Sequence, residues 1–387
     1  MFMDPLLKLM ADKKASDLFF SVGAPITIKI DGVCAPLNAD PLKPELCAQI
    51  ATELMNDDQR ENFATNMEMN FSFRMRDVGN FRVNVFRQRG QPSVVIRRIS
   101  SVIPTVEELH LPSVLRDLIM ERRGLILVVG ATGSGKSTTM ASMIEHRNLN
   151  RTGHILTVED PIEFTFRHRK SLVNQREVGI DTLSYSNALV NAMREAPDVM
   201  MIGEVRERET FRHALIYAQT GHLCLTTLHA NNSYHCFNRI VNFFPHDARQ
   251  ALLADMAASL RAIISQRLVR GIDGKLLPAV EVMMNTKFVA ELITKGEFDS
   301  IKEAMEQSLS PGSQTFEQAL FRLLQEGRIT REEAMASADS PSNLAALIDY
   351  AERPTSGVSA AAPAGDTRGS ASFESISIDA GLLEKKK

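Results

Sequence analysis

The run Gly130-Ala131-Thr132-Gly133-Ser134-Gly135-Lys136-Ser137 constrains the fold more than any other stretch of this chain. It satisfies G-x-x-x-x-G-K-[ST] in full. The apolar run Leu125-Ile126-Leu127-Val128-Val129 stands just before it, and Thr138-Thr139-Met140-Ala141-Ser142-Met143-Ile144 follows. The first segment reads as a strand buried on both faces and the second as the start of a helix. Glycines let the backbone turn its N–H groups onto a phosphate, and the helix N-terminus adds positive potential there. Gly130, Thr132, Gly133, Ser134, Gly135 and Thr138 are the expected loop contacts, Lys136 reaches the β- and γ-phosphates, and Ser137 offers a hydroxyl to Mg2+. The expected ligand of this loop is a nucleoside triphosphate with Mg2+.

Around this unit the sequence alternates strands and helices. Residues 153–158, 197–203 and 221–228 read as strands, and residues 184–195 and 207–219 as helices. Such alternation predicts an α/β fold with a parallel sheet and a ligand at the carboxyl ends of its strands. Residues 1–99 read as a separate α+β domain. It has an amphipathic helix at 5–14, strands at 17–22 and 26–30, a turn at Asp31-Gly32, and a helix over 44–65. Residues 71–75, 81–86 and 94–97 alternate apolar with polar, as a half-buried sheet does. A linker is expected over 100–111, a core over 112–287, and a helical region over 288–350. Helices there are predicted at 288–307, 314–327 and 331–350, broken at Gly296, Pro311-Gly312 and Gly327. Residues 351–387 are expected to be a disordered tail, rich in Ala, Ser, Gly and Pro from Pro354 on. Within it, residues 373–378 read either as a short docking segment or as part of the solvated tail.

Composition removes several classes. The net charge of −3 offers no field for nucleic acid, and no basic, aromatic-rich stripe is present, so no nucleic-acid partner is expected. Cys34, Cys47, Cys224 and Cys236 form no C-x-x-C pair, which argues against a zinc ribbon or a disulfide framework. Met1-Phe2-Met3-Asp4-Pro5 does not begin like a secretory signal. No run approaches the roughly 20 apolar residues of a transmembrane segment. A soluble, cytoplasmic protein is expected.

A phosphate-binding loop needs a carboxylate near the metal and a group that activates water. Glu204 follows the apolar run Val199-Met200-Met201-Ile202-Gly203, and Glu159 and Glu163 lie on either side of Asp160-Pro161. Either of the latter pair suits a base. His222 opens and His229 closes one predicted strand, and a polar group at a strand end can sense a γ-phosphate. Arg82, Arg87, Arg89, Arg97 and Arg98 lie in or between two predicted strands. They read as a solvated basic face or as arginine fingers.

Four ordered segments together resemble one family. The loop at 130–138 resembles the Walker A of the secretion ATPases that drive type IV pili and type II secretion. Residues 155–164 resemble that family's Asp box, 202–210 its atypical Walker B, and 220–230 its His box. Ala15-Ser16-Asp17-Leu18 and Ile28-Lys29-Ile30-Asp31-Gly32 resemble the short N-terminal domain of the PilT/PilU retraction branch. The resemblance implies a RecA-like core behind a small PAS-like domain, a homohexameric ring, ATP and Mg2+ as cofactors, and ATP hydrolysis that powers pilus retraction in twitching motility. It implies Glu163 as base, Glu204 as the Walker B acid and metal partner, and Arg82 and Arg97 as phosphate contacts. It also implies a peripheral location at the inner-membrane pilus base, on a platform protein. Where PilT-like motors read A-I-R-N-L-I-R-E, this chain reads Phe288-Val289-Ala290-Glu291-Leu292-Ile293-Thr294-Lys295 and lacks both arginines. That departure implies an accessory motor working with a PilT-like paralogue. The rival readings are an ATP-binding regulatory module with little turnover and a nucleic-acid translocase.

Overall fold

The computed structural model describes residues 3–30, 32–99, 102–308 and 310–352. The expectations for residues 353–387, including the 373–378 stretch, lie outside the described residues, as do Asp31 of the predicted turn and the first two residues of the predicted linker.

The N-terminal part runs α1 (Asp4–Asp12), β1 (Asp17–Phe20), β2 (Thr27–Ile30), β3 (Val33–Pro36), α2 (Pro44–Leu54), α3 (Asp57–Asn66), β4 (Glu68–Met75), β5 (Gly79–Gln88) and β6 (Gln91–Ile99). Its strands form one antiparallel sheet in the order β3-β2-β1-β6-β5-β4. Alternation in β5 buries Phe81, Val83 and Val85 with Leu18, Phe20, Val94 and Ile96, beneath Leu7 and Met10 of α1 and Ile50 of α2. The helix predicted over 44–65 is two helices. The Asn56 side chain accepts from Gln59 N, and the Gln59 side chain accepts from Asn56 N. That reciprocal cap starts a new helix where the sequence periodicity alone reads as continuous.

The opposite face of this sheet is polar. Asp17 faces Arg97, Arg97 faces Arg82, and Arg82 faces Ser72 across four adjacent strands. Like charges directly opposite one another are destabilising. Asp17 offsets the charge on Arg97 through a 2.7 Å ion pair.

The larger part comprises α4 (Val114–Ile119), β7 (Gly124–Val129), α5 (Lys136–Asn150), β8 (Gly153–Glu159), β9 (Ser171–Glu177), α6 (Tyr185–Ala192), β10 (Val199–Ile202), α7 (Arg208–Gln219), β11 (Leu223–Leu228), α8 (Ser233–Asn242), α9 (Arg249–Ser259), β12 (Leu260–Arg270) and β13 (Leu276–Met284). The sheet order is β13-β12-β7-β11-β10-β8-β9. Every neighbouring pair is parallel except β12 and β13. Leu125, Leu127 and Val129 of β7 pack into one apolar layer with α6 to α9, and Ile126 and Val128 into the other with α4 and α5. Burial on both faces explains the unbroken apolar run before the loop.

Three strands escape the sequence pattern. The edge strand β9 (Ser171-Leu172-Val173-Asn174-Gln175-Arg176-Glu177) carries too few apolar residues to be read as buried. The hairpin of β12 and β13 adds an antiparallel edge to the predicted parallel sheet.

Beyond β13 lie α10 (Lys287–Lys295), α11 (Ile301–Glu306), α12 (Phe316–Gln325), α13 (Arg331–Ser337) and α14 (Pro341–Glu352). The predicted breaks at Gly296, Gly312 and Gly327 fall at glycines with φ of 75°, 86° and 65°. The helix predicted over 331–350 is interrupted before Pro341, and α14 continues to Glu352. α10 and α11 join the main core, whereas α12 to α14 build an apolar cluster of their own on Val269 and Ala279.

Candidate active site

A cleft of about 330 Å3 opens at the carboxyl ends of β7, β8, β10 and β11. Its lining includes Thr132, Gly133, Lys136, Ser137, Glu159, Asp160, Glu163, Tyr185, Glu204, Arg206 and His229.

Backbone geometry shapes the loop. Gly130, Gly133 and Gly135 have φ of 156°, 78° and 88°, values that favour glycine. A Cβ on Gly130 would lie 2.3 Å from the Gln266 carbonyl oxygen, and one on Gly135 2.8 Å from the Gln266 amide nitrogen. β12 therefore buttresses the loop, and Thr139 Oγ1 donates to Gln266 Oε1 at 2.7 Å. Gly135 is the N-cap of α5, and no side chain caps that helix. The first N–H groups of α5, through Thr138, have no intrahelical acceptor and suit an anion. Ser134 Oγ is buried without a hydrogen-bond partner. Thr138 itself does not line the cleft.

Lys136 Nζ donates to Gly130 O at 3.0 Å and Ala131 O at 2.9 Å. Burial lowers its pKa, and Glu204 and Glu163 pull it back up. Ser137 Oγ donates to Glu163 Oε1 at 3.0 Å. A buried ammonium, unpaired backbone donors and a hydroxyl beside a carboxylate fit a polyphosphate with a hard, oxygen-preferring cation.

The two candidate bases differ in environment. Glu163 is exposed to the cleft. Glu159 is buried and accepts from Thr157 Oγ1 at 2.7 Å and Gln175 Nε2 at 3.2 Å. The backbone N–H of Glu163 also donates to the Glu159 carboxylate. Burial pushes the Glu159 pKa up from 4.5 to about 7.

Glu204 is held on both oxygens. His229 Nε2 lies 3.0 Å from Oε1, and the Arg206 guanidinium lies 2.9 Å from Oε2. A carboxylate only accepts, so the His229 nitrogen carries the proton in this contact. Thr227 Oγ1 donates to Gly203 O at 2.7 Å and stitches the ends of β10 and β11 together.

Other predicted residues stand elsewhere. His222 is at the opposite end of β11 and does not line the cleft. Its ring packs edge-on to Tyr217 at 5.6 Å, and its Nδ1 is 3.2 Å from Thr220 Oγ1. An extended strand rises about 3.3 Å per residue, so the six residues of β11 keep the two histidines apart. Arg82 and Arg97 do not line the cleft either. Arg82 faces Glu177 of β9, whose pKa it lowers against the larger, raising effect of burial. Ser72 Oγ and Ile162 N donate to the two Glu177 oxygens, each at 3.3 Å, so one carboxylate joins the N-terminal sheet to the Glu163 turn.

Sequence reasoning missed Arg206, Gln266 and Glu177. Arg206 stands two residues after Glu204, the spacing that puts extended side chains on one side. Gln266 and Glu177 lie on strands with no motif to mark them.

The model of the type II/IV secretion system protein family matches residues 1–314. The chain belongs to that family. It is 49% identical over 346 residues to the type IV pilus ATPase PilU of Pseudomonas aeruginosa, covering 89% of this chain and 91% of that protein. It is 40% identical over 338 residues to the type IV pilus retraction ATPase PilT of the same organism, covering 87% and 98%. A crystal structure of the pilus retraction motor PilT with bound ADP superposes with a TM-score of 0.82 at 39% identity, covering 88% of this chain and 99% of that one. The RecA-like secretion-ATPase fold expected from the motifs is borne out. Among the described residues no helix is long and apolar enough to cross a membrane.

The buried Glu159 generates a pH-dependent prediction. Its folded-state pKa is raised, so its contribution to stability is full below about pH 4.5 and is lost as the pH rises through about 7. Glu159→Gln cannot ionise. In thermal melts without nucleotide, the variant should match the parent near pH 5 and exceed it at pH 8, by on the order of 2–3 kcal/mol. An equal difference at both pH values would refute this origin.

Proposed function

We propose that this chain is an ATP-driven motor of type IV pilus retraction that works beside a PilT-like paralogue. It is an ATPase by family and fold. The observation that carries the residue assignments is the convergence of Lys136, Ser137, Glu163 and Glu204 in one cleft.

Lys136 and the first N–H groups of α5 hold the β- and γ-phosphates. Ser137 Oγ and Glu204 are the residues that would hold Mg2+, whose bound charge offsets that of the phosphates. Glu163 is the base. It touches the Ser137 hydroxyl at 3.0 Å, next to the expected γ-phosphate position. Water attacks the γ-phosphorus, its proton passes to Glu163, and the bond to the β–γ bridging oxygen breaks, leaving ADP and phosphate. Glu159 accepts the Glu163 N–H and holds the turn. His229 and Arg206 orient Glu204.

Arg82 and Arg97 act on nucleotide held by a neighbouring subunit in a homohexameric ring. Their support is the polar face of the N-terminal sheet, where Arg82 and Arg97 are register partners on adjacent strands. Two cationic residues on one face suit a polyanionic ligand. His222, at the far end of β11, has a structural role within the chain.

The accessory role rests on α10. This helix buries Val289, Leu292 and Ile293 and exposes Phe288, Glu291, Thr294 and Lys295. Ala290 and Thr294 occupy the two positions where PilT-like motors carry arginine. The active site is intact, so hydrolysis is retained while coupling to the pilus base is weakened. The proposed location is peripheral, at the inner-membrane pilus platform.

Lys136→Ala and Glu163→Gln should each lower ATP turnover by about 100-fold or more with the melting temperature preserved. Turnover at the parental rate in either purified variant would reject its assignment.

Arg97→Ala should lower turnover by about 1000-fold if the arginine stabilises transition-state charge. Mixing Arg97→Ala subunits with Glu163→Gln subunits should restore part of the activity, because one complete site then forms from two chains. No recovery at any ratio would count against action across an interface.

Live imaging of labelled pili tests the accessory role. Retraction should be weak with this chain alone and recover when a catalytically dead PilT-like paralogue is supplied. Vigorous retraction without the paralogue would overturn the accessory reading and leave the ATPase intact.

A further inference from the structure

We infer that Arg267 and Asp339 form a clamp that positions the His229 loop, and that through it the C-terminal helices set the rate of ATP turnover. The inference rests on the reading of His229 as the residue that orients Glu204.

Only Ala230, Asn231 and Asn232 separate His229 from the start of α8. This short strap is pinned on its far side. Asn231 O accepts from Arg267 Nη2 at 3.2 Å, and Asn232 Nδ2 donates to Asp339 Oδ2 at 2.9 Å. Asn232 Oδ1 caps α8 by accepting from His235 N at 3.0 Å, so both ends of its amide are committed.

The clamp is itself fixed from the C-terminal side. Arg267 donates to Asp339 Oδ1 at 2.7 Å and to Ser337 O at 2.6 Å, and its guanidinium lies 3.6 Å above the Phe316 ring. The next residue, Ser340, donates its N–H to the buried Glu317 at 2.7 Å. The link between α13 and α14 is therefore tied at Ser337, Asp339 and Ser340 in succession.

Adhesion of α12 to α14 does not require this network, because those helices have their own apolar cluster on β12 and β13. The Arg267 and Asp339 side chains are 25% and 15% exposed, so losing either leaves the other charge poorly solvated. What the polar contacts add is a fixed register between the link and the strap. A displacement of the strap moves His229, and the 3.0 Å contact with Glu204 moves with it. Misplacement of a reacting group by about 1 Å can cost about 100-fold in rate.

The test uses the full chain and measures kcat, KM for ATP and melting temperature. Asp339→Ala should lower kcat about 10-fold or more, with KM changed by less than about twofold. Asp339→Asn keeps the shape and loses the charge, and it should show a smaller loss of the same kind if Asp339→Ala does not fold. Arg331→Ala breaks only exposed ion pairs to Asp349 and Glu352 in the same helices, so it should leave kcat at the parental value. The deciding measurement is the cycle with His229→Ala. If Asp339 acts through His229, the double variant should be no slower than His229→Ala alone. Parental kcat in the Asp339 variants, or losses that multiply in the double variant, would overturn the clamp while leaving the role of His229 standing. Parental turnover in His229→Ala would instead overturn the role of His229, and the clamp with it.

Discussion

Lys136 brings its ammonium to the carboxyl edge of the sheet, where two backbone carbonyls at 3.0 and 2.9 Å replace water. Burial there lowers its pKa, and an uncompensated buried charge is costly. Glu163 and Glu204 supply the compensating field. Each carboxylate is engaged elsewhere, Glu163 with Ser137 and Glu204 with His229 and Arg206. The ammonium thus remains on its own loop instead of closing an ion pair across the cleft. Space for a polyphosphate follows from that division of partners.

Each carboxylate owes its place to a strand end. Glu159 closes β8, and the turn after it carries Glu163 back toward α5. Glu204 stands two residues past β10, on a segment tied to β11 through Thr227 and Gly203. His229 directly follows β11. The parallel registers of β8, β10, β11 and β7 bring these ends to one edge, so sheet packing sets the site before any substrate arrives.

The most legible parts of the sequence were those fixed by local rules. The buried strand, the glycine loop and the acids at strand ends each carry a short-range signature, and the structure places Lys136, Ser137, Glu159, Glu163, Glu204 and His229 around one cleft. Long-range contacts left no such trace. Gln266 touches the loop from 127 residues beyond Thr139, and Glu177 meets Ser72 from 105 residues away. The pairing of His222 with His229 misled for a geometric reason. Residues that flank a strand are neighbours in sequence logic and stand at opposite edges of the sheet. The edge strand β9 was missed because its pairing, not its side chains, makes it a strand.

The charge of the cleft bears on what a single chain lacks. Its lining carries four carboxyl side chains, Glu159, Asp160, Glu163 and Glu204, against two cationic ones, Lys136 and Arg206. Burial favours the protonated form of Glu159, and Arg206 is already engaged by Glu204. A polyanion entering such a site meets more negative charge than positive, which hydrogen bonds from the loop only partly offset. Further cations must come from outside the lining. A bound divalent ion is one source. Arg82 and Arg97 stand outside the cleft of their own chain and are already partnered there, Arg97 by the 2.7 Å ion pair with Asp17 and Arg82 by the charge of Glu177. The acids of the cleft therefore match a polyphosphate that arrives with its divalent ion better than a bare polyanion.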